Sequence, residues 1–162
     1  MTVSDSVVVA ATPNEIYDKV SDPTLMGQWS PENLGARVRG EPGATHVGMT
    51  FVGRNKRGAV RWVTECTVTA ADRGERFEFR VGAIGVKKPR LRAHIATWEY
   101  RFEAVPEGTR VTETWTDGRS GWPDAAANAF DKVVTSGKTF ADFQAKNIHV
   151  TLRNLAKVFA TT

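Results

Sequence analysis

Apolar and polar side chains alternate with a period of two through most of residues 35–116, which is the pattern of half-buried β-strands. Short segments with glycine interrupt it at 56–58, 72–74 and 106–108, and turns of this length join neighbouring antiparallel strands. The pattern therefore predicts an antiparallel sheet, with strands over 7–11, 35–39, 49–55, 60–70, 76–81, 93–104 and 110–116.

Helix signals lie on both sides of this region. Thr12-Pro13-Asn14-Glu15 is a capping box with proline at the first helical position, and Asp22-Pro23 begins a second short helix. After residue 116 the pattern predicts a helix over 124–134 and a long C-terminal helix that begins at a second capping box, Thr139 to Asp142. The inner face of the long helix runs from small to bulky side chains: Ala141, Ala145, Ile148, Leu152, Leu155 and Phe159.

Large aromatic side chains fall on one face of the predicted sheet, because residues two apart on a strand point the same way. A covering helix that begins with alanine leaves space above that face. The pattern therefore favours a ligand-binding hollow between sheet and helix, and a filled core of ordinary density is the alternative. The aromatic residues are Phe51, Trp62, Phe77, Phe79, Trp98, Tyr100, Phe102 and Trp115.

The first predicted hairpin, strands 49–55 and 60–70, allows its register to be deduced. If the turn lies at Arg57-Gly58, Gly53 faces Trp62 and Phe51 faces Thr64. Phe51 and Trp62 then share a face, and the absent side chain of Gly53 leaves room for an indole.

Length and composition narrow the class of protein. A chain of 162 residues fits one domain over 1–162, and its only cysteine, Cys66, excludes an internal disulfide. The first residues lack the pattern of a secretory signal, and no segment reaches the roughly 18 apolar residues of a membrane span. We therefore expect a cytoplasmic protein, either a monomer or a homodimer.

Basic residues concentrate in one predicted loop. The formal net charge is +4, and Lys87, Lys88, Arg90 and Arg92 contribute to it within a few positions. Such a cluster could dock on an acidic protein partner or on an anionic membrane surface. A solvated loop without a partner is the alternative.

Five short motifs stand out along the chain: residues 26–32 (MGQWSPE), 53–58 (GRNKRG), Arg61-Trp62 with Cys66, 97–100 (TWEY) and 108–115 (GTRVTETW). With the order of elements, they resemble the START-like superfamily, also called SRPBCC, and within it the polyketide cyclase/dehydrase-type subfamily of actinobacteria. The resemblance covers nearly the whole chain.

The resemblance implies an α+β helix-grip fold. In this fold a curved seven-stranded antiparallel sheet wraps around a long C-terminal helix, with two short helices after the first strand. Relatives bind lipids, sterols, plant hormones or polyketides, and some catalyse cyclisation or dehydration. Because one fold hosts many activities, the function has to come from the site.

No metal or cofactor pattern is present in the sequence. The histidines, His46, His94 and His149, lack the spacing of a zinc motif, and one cysteine cannot form a thiolate cluster. We expect neither a metal nor a cofactor. Nucleic acid is not an expected partner either, because the aromatic face should lie under the long helix instead of forming an exposed stacking platform.

Three polar residues, Thr64, His94 and Glu113, share the phase of the aromatic face. An apolar hollow raises the pKa of a carboxyl group, so Glu113 with His94 is the candidate acid–base pair for a polyketide-like carbonyl compound. Tyr100 or Thr64 would hold the developing oxyanion. In the structural alternative, His94 faces water at a strand end and Glu113 only satisfies a neighbouring polar group.

Trp29-Ser30-Pro31-Glu32 lies where the short helices meet the sheet, and it forms either a gate over the hollow or a rigid corner. Three functions follow: a binder of an apolar lipid- or polyketide-like molecule, a cyclase or dehydratase, and a protein-interaction module that uses loop 87–92. The candidate ligand-binding residues are Trp29, Glu32, Phe51, Trp62, Thr64, Cys66, Phe79, Trp98, Tyr100, Trp115, Ala141, Ala145 and Ile148.

Overall fold

The computed structural model describes residues 2–40, 43–119 and 140–160. Its seven strands form one antiparallel sheet in the order β1-β7-β6-β5-β4-β3-β2, which confirms the α+β helix-grip fold. The strands are β1 Thr2–Val9, β2 Asn33–Val38, β3 Thr50–Arg57, β4 Val60–Asp72, β5 Arg76–Gly85, β6 Leu91–Val105 and β7 Gly108–Asp117. The helices are α1 Pro13–Val20, a 3₁₀ helix Pro23–Gln28 and α2 Phe140–Ala160.

The helix α2 covers only part of the sheet. A helix is about 10 Å wide, whereas seven strands spaced by about 4.8 Å span roughly 29 Å. Among the described residues, α2 packs against β1 and β7, α1 packs against parts of β5 and β6, and the 3₁₀ helix packs against β2. Large side chains of the middle strands themselves fill much of the remaining inner face.

The β3–β4 hairpin has a different register from the predicted one. Gly53 pairs with Thr64 and Phe51 pairs with Cys66, because the two-residue turn lies at Gly58-Ala59, one position further along. Gly58 has a φ of +58°, a conformation that glycine adopts without strain. The pairing moved by two residues, an even number, so the aromatic side chains still share a face.

Strand β1 begins five residues earlier than the sequence pattern predicts and ends at Val9 instead of residue 11. Its first residues, Thr2 to Ser6, are polar except for Val3 and carry no clear alternating signal, yet every residue of β1 pairs with β7. Backbone hydrogen bonds to a long neighbouring strand supply the order that side-chain burial does not. The full length of β1 gives α2 a surface to pack on.

The two short helices begin as predicted. Thr12 Oγ1 accepts from the Glu15 backbone N–H, and Glu15 Oε2 accepts from the Thr12 N–H at 2.9 Å, which completes the capping box. Asp22 caps the second helix by accepting from the Thr24 N–H at 3.0 Å. This second helix is 3₁₀ and covers only six residues, since Gly27 lowers helix propensity within so short a segment.

The buried face of α2 differs in phase from the predicted one. Ile148, Leu152 and Leu155 are buried as expected, but Ala145 is exposed and Gln144 is buried in its place. At 100° per residue, Gln144 lies nearer the centre of the face that meets β1 and β7, so Ala145 turns toward solvent. The predicted helix over 124–134 and the cap residue Thr139 lie outside the described residues. No described helix is long and apolar enough to cross a membrane.

Aromatic side chains form the centre of the core. All eight residues of the predicted aromatic face belong to the hydrophobic core or pack against it. Phe51 and Phe79 meet edge to face with ring centroids 5.2 Å apart, and Tyr17 of α1 meets Phe102 in the same way at 5.7 Å. Such contacts add about 0.5–1.5 kcal/mol to the burial of each ring pair.

We expect Gly108→Ala to destabilise the protein far more than the matched change Gly58→Ala. Both glycines have positive φ, but a Cβ at Gly108 would lie 2.1 Å from the Val9 carbonyl oxygen, whereas a Cβ at Gly58 meets nothing within 4 Å. Gly58→Ala should cost about 1–2 kcal/mol from backbone strain alone. Urea unfolding of both variants measures the difference in stability. Equal losses of stability would show that crowding by the Val9 carbonyl oxygen does not restrict position 108.

Candidate functional site

A cavity of about 130 Å³ lies between the sheet and the N-terminal half of α2. Aromatic and aliphatic side chains from β3 to β7 line the sheet side, and Gln144, Asn147 and Thr151 line the helix side. Two carboxyl groups, Glu32 and Glu113, also border this space. The site is therefore an apolar cavity with a few polar groups, the usual composition of a small-molecule site.

Most of the predicted site residues border the cavity, and their role in ligand binding stays a prediction. Those that border it are Trp29, Glu32, Phe51, Trp62, Thr64, Cys66, Phe79, Trp98, Tyr100, Glu113 and Trp115. The predicted residues of α2 do not: Ala141 is half-buried, Ala145 is exposed and Ile148 is buried in the core. The predicted strand residues border the cavity because strand alternation holds through them. The predicted residues of α2 do not, because the buried face of this helix is rotated by a fraction of a turn from the predicted one.

The placement of His94 on the inner face is wrong. The side chain is exposed, and its Nε2 lies 3.2 Å from Thr97 Oγ1. Ile95 and Ala96 are both buried in succession, because β6 is irregular opposite Val81 and reverses its alternation there. The structure therefore separates His94 from Glu113.

Glu113 is the buried carboxyl group of the cavity. It lies on β7 directly opposite Tyr100 of β6, with 2% of its surface exposed. The Tyr100 hydroxyl donates to Glu113 Oε1 at 2.8 Å, and Glu113 Oε2 has no hydrogen-bond partner.

Burial raises the pKa of Glu113 to about 8, with the nearby charge of Asp5 adding to the effect and the Tyr100 hydrogen bond opposing it. The carboxyl group is therefore mostly protonated at neutral pH. Since Oε1 already accepts from Tyr100, Oε2 is the oxygen left to carry the proton. The pKa of Tyr100 is raised well above 10 by burial and by Glu113, so its hydroxyl stays a donor.

Cys66 borders the cavity from β4 as an unreactive thiol. It is 3% exposed, and burial raises its pKa to about 12. Its thiol donates a long hydrogen bond to Thr64 Oγ1, 3.9 Å from the sulfur. A thiol with this pKa has almost no thiolate at neutral pH and behaves as a small apolar side chain.

An ion pair and a buried tryptophan mark one end of the cavity. Glu32 accepts from Arg57, whose guanidinium also lies over the ring of Phe143. Burial nevertheless raises the pKa of Glu32, with Arg57 opposing the shift. Trp29 is 1% exposed, and its carbonyl accepts from Asn154 Nδ2 at 3.0 Å, which ties this corner to α2. These contacts favour a packed corner over an open gate.

Several polar residues of the cavity were missed from the sequence. Asn55 and Arg57 continue the alternation of Phe51 and Gly53, so extending that strand to residue 57 would have placed them on the inner face. The polar residues of α2 had no such signal. Gln144, Asn147 and Thr151 flank the apolar stripe, where sequence patterns favour solvent.

The basic loop lies away from the cavity, in the connection between β5 and β6. Lys87, Lys88 and Arg90 are exposed, and the neighbouring Val86 is 78% exposed. Arg92 pairs with Glu65 at 3.0 Å. A partner for this loop stays a prediction.

The topology and the cavity define a helix-grip protein with a partly apolar cavity between sheet and helix. The chain matches the family model described as "Polyketide cyclase / dehydrase and lipid transport" over residues 1–160. It therefore belongs to the polyketide cyclase/dehydrase and lipid transport family. No curated protein matches the chain.

Solved structures share this fold at low sequence identity. The di-domain ARO/CYC protein StfQ from the steffimycin biosynthetic pathway aligns with a TM-score of 0.70 and 16% identity over 99% of this chain and 50% of its own. Ms6760 from Mycobacterium smegmatis aligns with a TM-score of 0.68 and 17% identity over 99% of this chain and 91% of its own. The Polyketide_cyc-like protein Cgl2372 from Corynebacterium glutamicum is 25% identical with a TM-score of 0.57, over 99% of this chain and 91% of its own.

We expect Glu113→Gln to remove a large pH dependence of stability. The folded-state pKa of about 8 lies above the usual 4.5, so protonation stabilises the fold fully below pH 4.5, and this contribution is lost as pH rises toward 8. Relative to the wild type, the free energy of unfolding of the variant should rise by about 4 kcal/mol between pH 5 and pH 8, at roughly 1.4 kcal/mol per pH unit. Urea unfolding at pH 5, 7 and 9 measures this.

The exposed turn residue Glu107 supplies the matched control for that experiment. Glu107→Gln makes the same chemical change without burial, so its stability curve should run parallel to that of the wild type. If the stability curve of Glu113→Gln also ran parallel to that of the wild type, Glu113 would be ionised in the folded protein between pH 5 and pH 9, which would contradict the prediction.

Proposed function

We propose that this protein binds an apolar molecule about the size of one aromatic ring in the cavity between sheet and α2, and holds its carbonyl group with protonated Glu113. The observation that carries the proposal is the free Oε2 of Glu113, a buried carboxyl oxygen at an apolar cavity. An unsatisfied buried polar atom costs about 1–3 kcal/mol of stability. A ligand that bonds it recovers part of that free energy.

The volume of the cavity limits the ligand. An engineered apolar cavity of about 150 Å³ binds benzene, whereas pockets for drug-sized molecules measure about 300–1,000 Å³. At about 130 Å³, the cavity accommodates roughly one ring in this conformation. Within a family described by both polyketide chemistry and lipid transport, this size favours a small aromatic or cyclic ketone over a sterol or an acyl chain.

The polarity of the cavity indicates which end of the ligand is held. Seven aromatic side chains line the cavity, with Phe51, Phe79 and Trp115 among them, and they suit an apolar ring. Glu113 offers a proton at Oε2, while Tyr100 holds Oε1 in place. A carbonyl oxygen is the matching acceptor, since it takes that proton in a hydrogen bond without needing to be charged.

A second candidate function is catalysis of cyclisation or dehydration by Glu113 alone. A carboxyl group with a pKa of about 8 can donate a proton at neutral pH and take one back, which are the steps that these reactions need at a carbonyl compound. The family description, which names polyketide cyclases and dehydrases, supports a substrate of this kind. His94 has no part in this mechanism because it lies outside the cavity.

Binding of benzaldehyde should depend on a hydrogen-bond donor at position 113. Glu113→Gln keeps an N–H that can donate, so affinity should stay within about threefold, whereas Glu113→Leu should lose roughly tenfold, the worth of one hydrogen bond at a buried site. Toluene, which has no carbonyl group, should bind wild type and both variants alike. Calorimetry or NMR titration at pH 6 measures all six combinations of ligand and protein in parallel. Failure of toluene and benzaldehyde to bind the wild type would refute the proposed function.

Turnover separates an enzyme from a binder. A single-ring β-hydroxy ketone that loses water gains a conjugated double bond, and its ultraviolet absorbance reports the reaction. If the protein is a dehydratase, Glu113→Gln should reduce the rate by at least about 100-fold, the size of a general acid–base contribution, while leaving the affinity nearly intact. Unchanged turnover in the variant would exclude Glu113 from the mechanism.

A further inference from the structure

We propose that Asn147 of α2 is a second polar anchor of the cavity and that the ligand therefore carries an O–H or N–H donor in addition to its carbonyl group. The class of ligand is a single ring with a carbonyl group and a separate hydroxyl group, such as a hydroxyaryl carbonyl compound. This inference rests on the proposed function and extends it from one polar contact to two.

The geometry of the Asn147 side chain leaves one atom free. Its Nδ2 donates to Gln144 Oε1 at 3.2 Å, one helical turn earlier, and this bond orients the amide group. Asn147 Oδ1 is then buried without a hydrogen-bond partner, and the residue borders the cavity. An amide oxygen can only accept a hydrogen bond, so a ligand that satisfies Asn147 Oδ1 has to carry an O–H or N–H donor.

Unsatisfied atoms of this kind are rare in the described part of the chain. Three buried side-chain oxygens there have no hydrogen-bond partner: Glu65 Oε2, Glu113 Oε2 and Asn147 Oδ1. The first lies 3.0 Å from the Arg39 guanidinium, so an ion pair accounts for it. The other two both belong to residues that border the same cavity. Buried polar groups in native proteins are almost always satisfied, so the shared location points to one ligand that meets both atoms.

The two atoms have complementary roles. Glu113 presents a proton from β7 on the sheet side of the cavity, and Asn147 presents an acceptor from α2 on the helix side. A ligand that satisfies both therefore needs an acceptor and a donor on different sides of its ring. A ring whose hydroxyl and carbonyl groups are adjacent forms an internal hydrogen bond instead, and it has no free donor left for Asn147.

The test compares toluene, benzaldehyde and the three hydroxybenzaldehydes at pH 6, where the phenol groups are protonated. On the wild type, the 3- or the 4-isomer should bind roughly tenfold more tightly than benzaldehyde, whereas the 2-isomer should gain nothing. In Asn147→Leu, the ratio of the affinity for that isomer to the affinity for benzaldehyde should fall from roughly ten to about one, whatever the variant does to benzaldehyde itself. Asn147→Asp, which keeps an acceptor oxygen of nearly the same shape, should retain part of the gain.

The outcomes separate this inference from the proposed function. If toluene and benzaldehyde bind but neither the 3- nor the 4-isomer binds more tightly than benzaldehyde, the second anchor is wrong and the proposed function stands. If the gain persists in Asn147→Leu, another group accepts from the hydroxyl and Asn147 is excluded. If none of the five compounds binds, the cavity holds only water, and both the inference and the proposed function fail.

Discussion

A single helix is too narrow to cover a seven-stranded sheet, and the rest of this structure follows from that mismatch. The helix α2 packs on β1 and β7 at one side, and the 3₁₀ helix packs on β2 at the other. Between these supports, α1 covers only part of β5 and β6, and large rings of the middle strands fill much of the remaining inner side. Rigid rings pack imperfectly across such a distance, and the space that remains is the cavity.

Two oxygen atoms give the cavity its chemical character, because both are buried there without a hydrogen-bond partner in the protein. Glu113 is held neutral by burial, Tyr100 occupies one of its oxygens, and Asn147 is oriented by Gln144. Each arrangement leaves one oxygen free at the cavity, where it lowers the stability of the fold. Proteins retain such costs at functional sites, where stability is exchanged for a ready-made binding geometry.

The sequence was sufficient for the fold and for the sheet side of the site, because strand alternation and capping boxes are local signals. The sequence was insufficient at positions where one extra residue reverses the alternation of a strand or where packing rotates a helix. The irregularity in β6 buries Ile95 beside Ala96 and turns His94 outward. No local feature of the sequence predicts this irregularity. On α2, packing against β1 and β7 set the rotation, so Gln144 and Asn147 border the cavity while Ala145 does not. Partners distant in sequence decide such rotations.

The suppressed ionisation of Cys66 has a consequence for the molecules that the cavity can tolerate. Loss of water from a β-hydroxy ketone yields an enone, an electrophile that alkylates thiolates. Because burial holds the Cys66 pKa at about 12, the sulfur beside such a molecule remains a thiol and a poor nucleophile. An enone formed under the proposed function would therefore meet a thiol in the wall of the cavity and not the thiolate that it alkylates.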